Sequence, residues 1–575
     1  MTDLGQQEVA RRTRLTAVDA AVFGGYLLAA ILLFGRMWTD LDHGYLLNSM
    51  QDQNLFEWYF AVAAHNPGTL VSTMQNYPAG VNLMANTSVL GLGIPLAPVT
   101  WLFGTTVTWT LALTLSVAGS AAGWYWVISR HITGSRPGAA VGGAFAAFAP
   151  PMISHANAHP NYVALFVLPF IVGQLIKLVR GQNAIRNGII LGLLLTYQVF
   201  LGEEPLLMAA TALLIFGIAR PSVWNRSLLT GLGIAALTAV PLLAYPLWTQ
   251  FFGPQSYSGM FHGPAGNDLA AITGFASASI AGDPTAQRLA VNPTEENAFF
   301  GYPLVILVVV LTVWLWKVAN VRALMITCAA MALLSLGGTL VINRVDTEIP
   351  LPWQFVHELP IYDSAIGSRL TMACVPAIGI LLALATERIL TLAAHATHTP
   401  LRLLWVGALL AVLVPITPVP LEVVKRQPTP AFFANGVWQD YVGKDRSVVF
   451  VPLASTGYSL PLYWQARTGL GFPLAEGYFT GPDKKGKGTY GAVPRPTSTL
   501  IDNVARTGIV PPIGEDERAQ AQRDLQYWHA GAVVLAPHDR QDALRQTCDA
   551  LFGDGRYVGG VWLWTVPEVT QPIGS

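Results

Sequence analysis

The chain has 575 residues, 52% of them hydrophobic and 11% charged, and its 33 basic residues balance 33 acidic ones. An ordinary soluble domain carries about 25% charged residues, so the composition excludes a string of soluble domains and makes lipid the solvent for most of the chain. With zero net charge and no arginine-rich arm interleaved with aromatics, nothing points to nucleic acid as a partner.

Arg11, Arg12 and Arg14 precede the first apolar run, Ala17 to Trp38. That run is too long for a secretory h-region and no small-residue cleavage site follows it, so it reads as an uncleaved first span. Further runs of roughly bilayer length lie near residues 105–129, 138–152, 160–178, 188–202, 205–219, 228–249, 300–318, 321–340, 369–388 and 402–420, giving about eleven in all. The loops holding Arg130 and Arg136, Arg180 and Arg186, Arg220 and Arg226, Lys317 and Arg322, and Arg388 and Arg402 alternate with loops almost free of Lys and Arg. This bias sets the N-terminus and the basic loops in the cytoplasm. The segment Ala85 to Gly104 is long enough to cross, but Gly91, Gly93, Pro95 and Pro98 break it. It reads as a re-entrant or interfacial part of a large first outer loop, residues 39–104, within a transmembrane domain spanning 1–420.

From Leu421 the character changes. Pro415, Pro418, Pro420, Pro428 and Pro430 stiffen the connection, and residues 421–575 read as an α/β domain. RSVVFVPL (Arg446 to Leu453), GAVVLAP (Gly531 to Pro537) and YVGGVWLWTV (Tyr557 to Val566) read as buried strands, with EDERAQAQRDLQYWHA (Glu515 to Ala530) as a helix entering the second. GPDKKGKGT (Gly481 to Thr489) approaches the P-loop pattern but has Gly488 where Ser or Thr should hold magnesium, and reads as a basic flexible loop. An odd number of spans places this domain outside. The expected fold is thus an α-helical polytopic membrane protein with a C-terminal extracytoplasmic α/β domain, in the cell membrane.

The outer loops are rich in carboxylates, among them Asp40, Asp42, Asp52, Glu57, Glu203, Glu204, Glu295 and Glu296. Acidic residues do little to set topology, so the excess directs the search for chemistry to the outer face. Asp52 opens an amphipathic pattern in which Leu55, Phe56, Tyr59, Phe60 and Ala63 are apolar and Glu57 polar. Such a helix would lie on the membrane with its carboxylate near the headgroups; the alternative is a plain helix cap. Asp40 and Asp42 form a D-x-D pair of the kind that holds a divalent cation, Mg²⁺ or Mn²⁺. His155 and His159 share a helix face at i, i+4, a spacing zinc sites use, but no third ligand stands nearby, which favours polar contact with a substrate. Glu203 and Glu204 sit between two short apolar runs, where carboxylates face a cavity or partner or favour a helix start. Arg369, at the outer mouth of its span, suits a lipid phosphate or an interfacial anchor. Cys328, Cys374 and Cys548 are scattered and suggest neither a disulfide framework nor a metal cluster.

DQNLFEWYFAVAAHN (Asp52 to Asn66), YPAGVNLMANTSVLGLGIPLAPVTWLFG (Tyr77 to Gly104), AHPNYVALFVLPF (Ala158 to Phe170) and QVFLGEEPLL (Gln198 to Leu207) resemble, in this order, segments of the GT-C superfamily of polytopic membrane glycosyltransferases, in its bacterial, actinobacterial type. The resemblance covers roughly residues 20–250 directly and the rest by architecture. It implies a catalytic Asp in the first outer loop, a polyprenyl-phosphate-linked sugar as donor, hexose or pentose, and a glycan, lipid or protein acceptor reached from the extracytoplasmic side. Carried residue by residue, the loop Asp falls on Asp52, the cavity carboxylate on Glu204 and the histidine on His159. Gln51 and Gln53 flank Asp52 where Gly and Pro are usual, which leaves both Asp52 and Asp42 open as the base. Arg369 alone remains of a segment that often carries two arginines. Asp40, His155, Glu203 and Arg369 complete the expected substrate contacts. A lipid or glycan transporter or flippase is the competing class, and a non-catalytic envelope-assembly protein the third; a hydropathy repeat, usual in transporters, is not evident.

Overall fold

The structure is a computed structural model describing residues 15–260, 262–395 and 400–567; Arg11, Arg12 and Arg14 lie outside the described residues. The chain is mostly helical and divides into two compact units. The first comprises Met1–Met50, Thr110–Leu243 and Phe261–Val424; the second comprises Gln51–Trp109, Ala244–Met260 and Lys425–Ser575. Residues 51–104, most of the segment read as the first outer loop, therefore cluster with the C-terminal region, a grouping that the sequence boundary at 420/421 does not convey.

Each apolar run expected as a span contains helix, but the run 321–340 ends in the strand Thr339–Ile342 and the run 402–420 leaves helix after Leu413. Among the described residues, five helices are long and apolar enough to cross a membrane: Thr105–Ile132, Pro160–Val179, Ala184–Leu201, Arg226–Phe252 and Gly367–His395. Ala17–Leu33, Tyr302–Leu315, Ala319–Ser335 and Leu401–Leu413 are shorter. The run from Ala17 to Trp38 is interrupted at Phe34, and Gly35–Trp38 adds only a turn.

In the first unit, the helix Cys374–His395 packs along Arg136–Phe148 at backbone contact. A Cβ on Gly142 would stand 2.6 Å from the Gly379 carbonyl, and one on Gly379 2.7 Å from that of Gly142. Small residues at such crossings let dispersion and packing hold helices that gain nothing from leaving lipid. Val375, Leu381, Leu382, Leu304 and Met331 fill the core beside them. Leu237, Val240, Val313 and Leu403 remain more than half exposed, as faces turned to lipid do.

The first helix is pinned by a carboxylate. Thr16 caps Ala17–Leu33 and Asp19 closes the capping box. Asp19, wholly buried, also accepts hydrogen bonds from Tyr125 Oη (2.6 Å) and Arg130 Nη2 (2.8 Å), with Arg136 Nη2 3.6 Å away. A charge this deep persists only when paired.

The second unit contains a four-stranded mixed sheet. Ser447–Phe450 runs parallel to Ala530–Leu535, which pairs antiparallel with Val561–Thr565, itself paired with Arg556–Val558. The β-branched runs became strands where expected, with one correction: Tyr557 to Val566 is a hairpin rather than one strand. Gly559 and Gly560, at φ +57° and +87°, supply the two left-handed residues its tight turn needs. The helices Pro496–Thr507, Glu515–Tyr527 and Gln541–Phe552 bury Ile501, Val504, Leu525 and Leu544 with Val449, Val533 and Leu535 of the strands. Glu515, Asp516 and Glu517 fill the first turn of the second helix, where the macrodipole favours them. The basic loop is also more ordered than its composition suggests: Thr480–Pro482 pairs with Gly488–Tyr490, and Asp483 accepts the backbone N–H groups of Lys485 and Lys487.

Within the same unit, Asp52–His65 is a helix as expected, but every residue from Asp52 to Ala64 is buried. It does not lie on a membrane by one apolar face. Its polar side has been internalised, because buried partners satisfy it. The segment after it divides into two short helices, Leu90–Gly93 and Ala97–Phe103, and a Cβ on Gly93 would come within 2.7 Å of Ala63 Cβ.

Candidate functional site

In the second unit, Asp52 is the first residue of its helix; the N-cap is Gln51, which makes no side-chain cap. Asp52 is 7% exposed, and its Oδ1 accepts a 2.6 Å hydrogen bond from Tyr478 Oη. Gln51 Nε2 donates to the same phenol oxygen at 3.3 Å. Burial first, then the neighbouring Asp52 charge, push the Tyr478 phenol well above its usual range, so it remains a donor. Below Asp52, Glu57 is held by Arg426 Nη2 (2.9 Å), Gln53 Nε2 (2.9 Å), and the hydroxyls of Thr105 and Thr106 (3.1 Å each). Arg426 also donates to Asn54 Oδ1 (2.9 Å) and lies over the Tyr463 ring at 3.7 Å. Asn54 reaches Ser459, and Trp58 reaches Gln465. The Asp52 helix is thus tied down from its polar side along its first two turns.

In the first unit, Arg369 gathers two carboxylates. Its Nη1 donates to Glu204 Oε2 at 2.8 Å, its Nε to Glu295 Oε1 at 3.0 Å, and its Nη2 also reaches Glu295; Tyr162 lies under the guanidinium at 4.7 Å. Glu204, in the first turn of Glu203–Ala219, also accepts the Ile366 N–H at 3.0 Å. Asn297 donates to Glu295 Oε2 (2.7 Å) and to Ser368 Oγ (3.2 Å), and its Oδ1 faces His155 Nε2 at 2.8 Å. His155 ends the helix Pro150–His155, and the turn after it, closed by the His159 N–H on the His155 carbonyl, sets the two Nδ1 atoms 2.8 Å apart. Burial alone would raise the Glu295 carboxyl, but Arg369 outweighs it and holds it well below the usual range. Burial pushes His155 down to about 3 against the opposing pull of Glu295, so it is neutral at physiological pH.

These contacts have chemical consequences. One guanidinium against two carboxylates leaves one net negative charge. Because Asn297 uses its NH₂ on Glu295 and Ser368, its oxygen accepts a hydrogen bond from His155 Nε2–H, which leaves a lone pair on His155 Nδ1. His155, His159 and Glu295 offer ligand atoms within 4.8 Å of one another. Two imidazoles and a carboxylate, with Asn297 fixing a tautomer from behind, fit a divalent transition ion. The third ligand missing beside the histidines in sequence is Glu295, 140 residues after His155.

The other expected residues are placed as follows. Asp40, half-buried, accepts the His43 N–H at 3.1 Å and its carbonyl accepts the Gly44 N–H, so it shapes a turn; Asp42 in that turn is exposed. Glu203 begins the helix that carries Glu204. Tyr162, Glu295, Asn297, Arg426 and Tyr478 were not singled out by sequence reasoning, although TEEN (Thr294 to Asn297) stands out as a polar run before an apolar one.

In fold, the chain is similar to solved membrane glycosyltransferases, in keeping with the resemblance carried by the Asp52 helix and the segments after it. The arabinofuranosyltransferase AftD from mycobacteria superposes with a TM-score of 0.59 at 14% identity, over 97% of this chain and 40% of that one. Its R1389S mutant gives 0.55 at 14% identity, over 96% and 42%. The oligosaccharyltransferase AglB from Archaeoglobus fulgidus, solved with an inhibitory peptide and a dolichol-phosphate, gives 0.50 at 11% identity over 90% and 69%. The mycobacterial neighbour fits the actinobacterial type of the resemblance. At these identities the likeness is one of fold; with five helices of spanning length among the described residues, the chain is a multi-pass membrane protein. No protein-family model matches the sequence, and no curated protein matches it.

Proposed function

We propose that the chain is an integral membrane glycosyltransferase that moves a sugar from a polyprenyl-phosphate donor to a glycan, lipid or protein acceptor on the extracytoplasmic face. The observation that carries this reading is a GT-C fold with a buried, hydrogen-bonded carboxylate, Asp52, heading the outer-loop helix. In the reaction, the acceptor hydroxyl proton passes to Asp52. The acceptor oxygen bonds the anomeric carbon, and the sugar–phosphate C–O bond breaks with its electron pair leaving on phosphate. Stabilising that leaving charge calls for fixed positive charge. Within the first unit, a divalent cation held by His155, His159 and Glu295 belongs to the same proposal. The imidazoles select Mn²⁺ over Mg²⁺ there.

Purified full-length protein in liposomes, offered a panel of polyprenyl-phosphate pentoses and hexoses, is expected to consume one donor and release polyprenyl phosphate. Movement of the lipid between leaflets without cleavage would instead establish the transporter class. For the cation, electron paramagnetic resonance titration with Mn²⁺ is expected to show one site that His159→Gln weakens by more than about tenfold, given that even outer-sphere partners are worth about 10–100-fold. Equal Mn²⁺ affinity in the variant would remove the cation from this cluster.

Topology with a cytoplasmic N-terminus, about eleven spans and the 421–575 region outside belongs to the same proposal. Thr285 and Ser222 are both exposed. Thr285→Cys is expected to react with a membrane-impermeant maleimide on intact cells, and Ser222→Cys only after permeabilisation; the reverse pattern would invert the map.

A further inference from the structure

The C-terminal region contributes a side chain to the carboxylate read above as the base. Tyr478 follows Glu476 and Gly477 in a segment leading into Thr480–Pro482, and it is buried at 6% exposure. This segment is fixed near the Asp52 helix by Asn86, whose Oδ1 accepts the Thr480 N–H (2.7 Å) and whose Nδ2 donates to the Thr480 carbonyl (2.8 Å). Asn86 in turn accepts from Tyr59 Oη on the Asp52 helix at 3.2 Å. Tyr478 is therefore set by its own backbone and by its neighbours, with its O–H directed at Asp52 Oδ1 at 2.6 Å, the length of a charge-assisted bond.

We propose that Tyr478 is a positioning residue for Asp52: its phenol O–H fixes the orientation of the carboxylate, with Gln51 Nε2 on the phenol oxygen strengthening the donor. This rests on Asp52 being the base. A carboxylate at 7% exposure pays for its burial, and a donor to the charged form offsets that cost. A base held in one rotamer also loses less orientational freedom on reaction. The titratable groups facing the carboxylate include Tyr478 and Tyr59, with Tyr490 behind the first and Tyr257 behind the second. These are phenols that stay neutral while a carboxyl titrates.

The test separates this inference from the reading beneath it. In purified full-length protein, the carboxylate-stretch infrared band that disappears in Asp52→Asn reports the hydrogen bonding of that carboxylate without any substrate. Tyr478→Phe keeps the ring and its burial and is expected to shift that band, because the 2.6 Å donor is lost. Turnover of the polyprenyl-phosphate sugar should fall about tenfold with KM nearly unchanged. Gln51→Ala should shift the band by less, and serves if Tyr478→Phe does not fold. An unmoved band beside an inactive Asp52→Asn overturns the role of Tyr478 alone. An active Asp52→Asn overturns the base and this inference with it.

Discussion

Asp52→Asn is expected to lower sugar turnover about 10²–10⁴-fold, the usual worth of a general base, while expression and thermal stability persist. Asparagine keeps an oxygen that can accept from Tyr478, so the 2.6 Å contact need not be lost; what disappears is the capacity to take a proton. Asp42→Asn is expected to cost far less. Asp42 is exposed in the turn shaped by Asp40, whereas Asp52 is 7% exposed and oriented by Tyr478, which gives it more of the orientational advantage a base needs. The two variants, assayed side by side in liposomes, settle what the sequence left open between them. An inactive Asp42→Asn beside a near-normal Asp52→Asn would transfer the role.

Much of this was legible in the sequence for one physical reason: periodicity and apolar length report local structure. The helix starting at Asp52, the strands at Ser447–Phe450 and Ala530–Leu535, and the helix Glu515–Tyr527 all follow from such patterns. The sequence suggested more than the fold bears where a pattern had two solutions. An amphipathic Asp52–His65 helix can expose its polar side or bury it against partners, and the deciding partner, Arg426, stands 369 residues after Glu57. Likewise Glu295 reaches the histidines only through tertiary folding, so the metal-ligating set read as incomplete. The hairpin at Gly559 and Gly560 was written locally, but the apolar run across it masked the turn.

Breaking the Glu57–Arg426 pair is expected to destabilise the second unit by about 3–5 kcal/mol, the cost of leaving one buried charge without its partner. The side chains are 0% and 3% exposed, so water cannot replace the lost partner. Glu57→Met leaves the guanidinium facing an apolar side chain. Arg426→Met leaves the carboxylate with Gln53, Thr105 and Thr106, neutral donors that cannot balance its charge. The double variant Glu57→Met with Arg426→Met should recover most of the loss, because apolar replacement of both partners in a buried pair is often near neutral. Thermal unfolding of detergent-solubilised protein across the four members of this cycle measures the coupling. Additive losses in the double variant would mean that the pair is not coupled and that Asn54, Thr106 and Tyr463 hold Arg426 by themselves. The pairing also makes a kinetic expectation: since Glu57 anchors the helix that Asp52 heads, the double variant should fold yet turn over sugar more slowly, with apolar contacts holding the helix in place of a directional bond. Restored stability with fully restored turnover would show that the anchor serves the fold alone.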